Sequence, residues 1–135
     1  MAADTNIFVN LPVKDLNRSK DFFGQLGFTF NPQFTDDNAA CMIIGEKIFS
    51  MLITEKYFAT FTPKKIADAR TTSEVLIALS CGSREEVGEM VEKAVAAGGK
   101  TYNEAKDHGF MLQHGFEDPD GHIWEVFYMD PNFVQ

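Results

Sequence analysis

The sequence predicts an α+β fold of paired βαβββ modules, and three observations carry that prediction. Two segments with strand character, Ile7 to Val13 and Val75 to Cys81, each lead into a segment with a helical apolar stripe. Glycine stops each helical segment, at Gly27 and at Gly98-Gly99. Extended segments and tight turns follow each stop. The order strand, helix, strand, hairpin therefore occurs twice, although the halves share little identity. Helices outside and sheets curved around a cleft would bury both faces of such small sheets. The expected layout is a single domain over 1–135, with module 1 at about 5–55, a connecting stretch at 56–72 and module 2 at about 73–130.

Each element has a local reason. Ile7, Val9, Leu11 and Val13 alternate with Phe8, Asn10 and Pro12, which is strand periodicity. Pro12 lacks an N–H, so it belongs near a strand end or on a sheet edge. Asp15 is an N-cap for a helix over about 16–26, with Leu16, Phe22, Phe23 and Leu26 on its apolar side. Phe28 to Phe34 reads as a strand interrupted at Pro32, and Ala39 to Ile44 with Lys47 to Thr54 as a hairpin around Gly45-Glu46. Thr62-Pro63 resembles a capped helix start, so a short helix is expected over about 63–69. Val75 to Cys81 is apolar on both faces, which predicts a central strand. Ser83 and Glu86 have capping-box spacing before a helix carrying Val87, Met90, Val91, Ala94 and Ala97. Lys100 to Glu104 is expected as a strand and Ala105 to Gly109 as a loop.

Composition narrows the function classes. A chain of 135 residues buries about two-thirds of its unfolded surface, enough for a core without staples. The formal net charge of −8 disfavours nucleic acid and anionic membrane partners. No apolar run approaches a membrane span, and the N-terminus has no signal-like core, so a cytoplasmic protein is expected. Cys41 and Cys81 fall in apolar strand-like runs and are expected as free thiols. The sequence holds no Ser-His-Asp, P-loop or CxxC pattern.

The chemistry concentrates in Phe116 to Tyr128, FEDPDGHIWEVFY. Asp118-Pro119-Asp120-Gly121 is a turn between strands Met111 to Glu117 and His122 to Met129. Ile123, Glu125 and Phe127 share one face, while Trp124, Val126 and Tyr128 share the other. Glu125 is thus a carboxylate between large apolar neighbours, which requires a partner or a cavity. A four-residue loop at 118–121 places His114 opposite Glu125, as an acid–base dyad; a one-residue shift places His114 beside Trp124 instead. Asn10 and Ser80 are further polar candidates on strand faces. His108 and His122 read as a solvated loop residue and a turn residue.

Leu11 to Phe28, LPVKDLNRSKDFFGQLGF, and Phe116 to Val126, FEDPDGHIWEV, resemble the vicinal oxygen chelate superfamily of glyoxalases, bleomycin and fosfomycin resistance proteins and extradiol dioxygenases. Together with the element order, the resemblance covers almost the whole chain. NLPVKDL with DGHIWEV is similar to a subgroup called predicted lactoylglutathione lyases. The resemblance implies the glyoxalase/bleomycin resistance fold and a divalent metal held by one ligand from each of four strands. Those positions fall on Phe8, on Met51 or Ser50, on Leu76 and on Glu125. Phenylalanine and leucine cannot coordinate, and a thioether suits a hard cation poorly, so no metal and no other cofactor is expected.

Three functions follow as expectations. The first is a protein that binds a small organic molecule in an apolar cleft, with Glu125 as polar anchor and Asn10, Phe8, Met51, Leu76 and Ser80 as ligand contacts. The alternative is a glyoxalase-like lyase or isomerase with Glu125 and His114 as catalytic groups. It would lack the metal's electrostatic stabilisation. The third is a structural dimeric module whose cleft is filled by Phe8, Met51 and Leu76. A homodimer is expected in each case, given 13 phenylalanines to bury.

Overall fold

The computed structural model describes residues 4–132. The chain divides into two compact units, Met1–Ala67 and Asp68–Gln135. Each is a βαβββ module with one open four-stranded sheet, which confirms the α+β reading.

In the first unit, strand β1 (Ile7–Val13) leads through helix α1 (Leu16–Gln25) to strands β2 (Thr29–Asn31), β3 (Ala39–Gly45) and β4 (Ile48–Thr54). The sheet order is β1-β4-β3-β2, with β1 parallel to β4 and the other pairs antiparallel. β1 is an edge strand, which accommodates Pro12 as expected. Asp15 caps α1 by accepting from the Arg18 amide at 3.1 Å. Leu16, Phe22, Phe23 and Leu26 are buried, and Phe22 and Phe23 meet edge to face at 4.9 Å. Leu11, Val13, Ala40, Met42 and Leu52 complete the core under α1. Residues between these on each strand turn to the opposite, open face of the sheet. Gly27 has φ +104°, the left-handed stop that only glycine takes without strain.

The second unit repeats the plan. β5 (Leu76–Ser80), helix α3 (Arg84–Ala96), β6 (Lys106–Asp107), β7 (Met111–Glu117) and β8 (Ile123–Met129) form a sheet of order β5-β8-β7-β6. Ser83 accepts from the Glu86 amide at 3.1 Å, while the Glu86 carboxylate reaches the Gly82 amide at 3.0 Å. Val87, Val91 and Ala94 of α3 are buried with Phe116, Trp124 and Val126. Both cysteines are free thiols, and burial pushes each upward from the usual thiol range, helped at Cys81 by Glu86.

Four expectations are corrected. No helix forms over 63–69; the short helix α2 (Glu55–Phe58) lies in the preceding irregular stretch. The Thr62 hydroxyl accepts from the Lys64 amide, a local turn that competes with helix. Phe28 to Phe34 is not one strand, because after β2 the chain turns through a 3₁₀ turn, Pro32–Phe34, capped by Asn31. Val75 to Cys81 is an edge strand rather than a central one, pairing in its sheet only with β8. Lys100 to Glu104 contributes one bridge, Lys100 to Glu117, and the paired strand is β6, inside the expected loop. Arg84 holds that region through the Asp107 carboxylate at 2.9 Å and the Gly109 carbonyl at 2.7 Å.

Asp118 organises the β7–β8 turn. Its carboxylate accepts from the Asp120 amide at 2.9 Å, the His122 amide at 3.0 Å and the Trp124 indole at 3.1 Å. Burial pushes this carboxyl up from its ordinary range; His122, the indole N–H and the Asp120 amide pull it back down. Gly121, at φ +91°, lets the turn lie against the Ala69–Arg70 backbone, which a Cβ would approach to 2.9 Å. Asp118→Ala leaves three donors without this acceptor and is expected to cost about 3 kcal/mol of unfolding free energy. Urea titration followed by Trp124 fluorescence measures it, and a loss under 1 kcal/mol would contradict the assignment.

Candidate functional site

Each sheet presents one face to its helix and leaves the other open, so functional side chains must be sought on the open faces. In the first unit the row facing away from α1 includes Phe8 and Asn10 of β1 and Phe49 and Met51 of β4, with Cys41 of β3 and Ile53 of β4 on the same face but buried. The β4 register settles which residue stands at the second ligand position. Ser50 is buried on the helix side, where its hydroxyl donates to the Val9 carbonyl at 2.9 Å. Met51 stands on the open face.

A pocket of ≈350 Å³ opens over that face, bordered by Asn10, Ala39, Met51 and Ile53 and walled by Phe34, Tyr57 and Phe61. Tyr57 and Phe61 meet edge to face at 5.1 Å. Phe34 and Phe61 are 58% and 59% exposed, so the wall presents apolar area to solvent. Two polar groups at the rim are already engaged. Thr35 Oγ1 donates to the Asn31 carbonyl at 2.7 Å and accepts from the Cys41 amide at 3.1 Å. Asp36 Oδ1 accepts from the amides of Asn38 and Ala39. Among the described residues no hydrogen bond occupies the side-chain amides of Asn10 and Gln33. The structure thus brings Asn10 and Met51 together. Phe8 shares their face but lies outside the pocket, stacked on Phe49 at 4.8 Å.

In the second unit, Leu76, Ala78 and Ser80 of β5 lie beside Ile123, Glu125 and Phe127 of β8 on the open face. Leu76 is exposed. The expected pairing of His114 with Glu125 is corrected. Glu117 pairs with Ile123, so the loop runs from Asp118 to His122 and is one residue longer than expected. The cause is the Asp118 cage, which also holds the His122 carbonyl on the Asp118 amide at 3.0 Å. That slip puts Gly115 opposite Glu125 and His114 opposite Val126, on the helix side. Among the described residues, His114 Nδ1 is buried there without a hydrogen-bond partner.

What meets Glu125 instead is Tyr102 with Gln113. Gln113 Nε2 donates to Glu125 Oε2 at a long 3.5 Å. Tyr102 follows α3 and is aimed by the Lys100 bridge, in which the Lys100 amide donates to the Glu117 carbonyl at 3.1 Å and the Lys100 carbonyl accepts from the Glu117 amide at 2.7 Å. Its phenol lies directly over Gly115, where any Cβ would overlap Oη and come within 2.9 Å of the Trp124 carbonyl. Burial raises the phenol above its usual value, and the charges of Glu125 and then Glu117 raise it further. Tyr102, Gln113, Glu125 and the His114 position border a small pocket of ≈40 Å³, with Asn103, Glu104 and Lys106 at its rim. The one sequence signal for Tyr102 was Gly115, because a glycine inside a strand marks a close approach.

The donor set does not suit a hard divalent metal. Phe8 and Leu76 offer no donor and Met51 only a thioether. Among the described residues no group of three or more His, Cys, Asp or Glu could hold a metal ion. No helix among them is long and apolar enough to cross a membrane.

The family described as bleomycin resistance protein-like N-terminal matches residues 5–45. A hypothetical protein from S. aureus is similar at 30% identity, with 95% of each chain covered and a TM-score of 0.79. A glyoxalase-related enzyme from Fulvimarina pelagi has 24% identity and a TM-score of 0.77, covering 90% of this chain and 85% of its own. A genomically encoded fosfomycin resistance protein from Listeria monocytogenes has 20% identity and a TM-score of 0.66, covering 96% and 91%. Comparison with curated proteins gives no match.

Glu125→Gln removes one of the charges that disfavour the Tyr102 phenolate, so the phenol pKa should fall towards its ordinary value while burial keeps it above. NMR titration of tyrosine ring carbons, assigned with Tyr102→Phe, measures this. An unchanged Tyr102 titration would contradict the geometry.

Proposed function

Because the chain belongs to the family of the S. aureus protein and has the fold of the glyoxalase/bleomycin resistance/dioxygenase proteins, we propose that it binds a small, uncharged, planar organic molecule on the open face of its first unit. The observation that carries this reading is the pocket of ≈350 Å³ over Asn10 and Met51. That volume lies within the range of small-molecule sites, about 300 to 1,000 Å³. Aromatic rings at 34, 57 and 61 offer faces and edges to a flat ligand, and covering them removes apolar surface from water. Met51 adapts its thioether to the ligand's outline. The free amides of Asn10 and Gln33 fit a ligand with both a carbonyl and an N–H. Asp36, the sole charged residue at the rim, is committed to its own turn, which disfavours charged ligands.

No metal enters this reading. The lyase name of the resembling subgroup is not needed either, because binding alone uses every feature of the pocket. The proposal includes a homodimer, supported by exposed Ile7, Phe8 and Ile48 along the β1–β4 rim. Sedimentation equilibrium should then give twice the 15.1 kDa chain, and a clean monomer would refute that part.

Binding is tested by calorimetry with benzamide, benzoate and butyramide as probes. Benzamide should bind, benzoate and butyramide at least tenfold more weakly. Asn10→Leu and Phe61→Ala should each weaken benzamide about tenfold, or about 1.4 kcal/mol. Equal affinity for all three probes, or no effect of either substitution, would contradict the reading.

A further inference from the structure

A row of directly paired residues crosses the first sheet beneath its pocket. Asn10 of β1 pairs with Met51 of β4, and Met51 pairs with Cys41 of β3. Neighbouring strands lie about 4.8 Å apart, and residues so paired share a face. One amide and two sulfurs therefore stand side by side. The binding reading uses the amide and the shape of Met51, but the chemistry of neither sulfur.

The two sulfurs differ in access and in reactivity. Cys41 is buried, and burial pushes its thiol upward, so it holds its proton and offers little of the thiolate that oxidants attack. Met51 is half-buried and borders the ≈350 Å³ pocket. A thioether has no proton to lose, so its lone pair is available at any pH. Met42 is fully buried under α1. Met90, Met111 and Met129 belong to the second unit. Among the described residues, Met51 is thus the sulfur of the first unit that a small solute reaches.

Its neighbour decides what oxidation would do. A sulfoxide turns a flexible apolar side chain into a polar, chiral one. An S=O group without a donor is costly on an apolar face. Here the adjacent Asn10 amide, which no hydrogen bond occupies among the described residues, has N–H groups to give it. That pairing would spend the donor assigned above to the ligand's carbonyl. It would also set an oxygen where a flat ring lies. One added atom removes both the apolar surface and the polar anchor.

We propose that Met51 is a modification site, oxidised by a peroxide to a sulfoxide that Asn10 holds and that shuts the first-unit pocket to its ligand. This inference rests on the binding reading above. The sulfur lone pair attacks one peroxide oxygen, the S–O bond forms and the O–O bond breaks. The departing hydroxide takes the proton of the transferred oxygen and leaves as water. Sulfur is oxidised by two electrons and the peroxide is reduced. A dithiol reductase reverses the step, its two thiols becoming a disulfide while the oxygen leaves as water.

The test treats the full chain with hydrogen peroxide, removes the peroxide and maps the added oxygen by peptide mass spectrometry. Benzamide affinity should fall at least about tenfold as Met51 converts, and methionine sulfoxide reductase should restore it. In Met51→Leu, peroxide should shift the benzamide affinity less than about twofold, while Met90, Met111 and Met129 serve as internal controls for exposure to oxidant. Bound benzamide should slow oxidation of Met51 and leave those three unaffected. A nitrogen-labelled amide spectrum reads the pairing without any ligand. The Asn10 side-chain signals should move on oxidation of wild type and stay in place in Met51→Leu. Untreated protein that does not bind benzamide would overturn the reading of the pocket, and the Asn10 signals would still decide whether the sulfoxide is held. Full benzamide affinity with Met51 converted overturns the switch, as does an unmoved Asn10 amide. A Met51 that resists peroxide while the three controls convert overturns it as well.

Discussion

The three-donor cage around Asp118 is the interaction on which the second unit depends. A buried carboxylate is tolerated here because two backbone amides and the Trp124 indole satisfy it. It fixes a five-residue connection, so pairing starts at Glu117 and Ile123. From that point strand alternation leaves no freedom. Trp124 and Val126 go to the core under α3, and Glu125 goes to the open face. A loop shorter by one residue would instead set His114 opposite Glu125.

The two modules share a plan but have diverged on their open faces. At the centre of the edge pair the first unit carries Asn10 beside Met51, and the second carries Ala78 beside Glu125. The first face is overlaid by aromatic side chains and leaves a roomy apolar pocket. The second is crossed by Tyr102 and leaves a small, polar one. The helix faces show no such divergence, since both are filled with aliphatic and aromatic side chains. Packing constrains the helix side tightly, and the open side is free to specialise.

The module order was legible because each element carries its own local signal. Caps at Asp15 and Ser83, glycine stops, and the stripes of α1 and α3 lie within a few residues of what they determine. The β7–β8 register was not legible, since it depends on Asp118 reaching Trp124 across the turn. Tyr102 was hidden for a related reason. Lys100 to Glu104 has strand character, but its pairing is decided by a single distant bridge to Glu117. The helix expected at 63–69 failed where a threonine turn outcompeted a cap signal. Period-two alternation assigned Asn10 and Glu125 to their strand faces without knowledge of partners, whereas the choice between Met51 and Ser50 needed the β4 register.

The register is therefore the claim on which the site stands. A NOESY spectrum of the labelled protein tests it most directly. The structure predicts contacts from the Gly115 α protons to the Glu125 α proton and to the Tyr102 ring. A contact between the α protons of His114 and Glu125, with none from Gly115 to Tyr102, would contradict it.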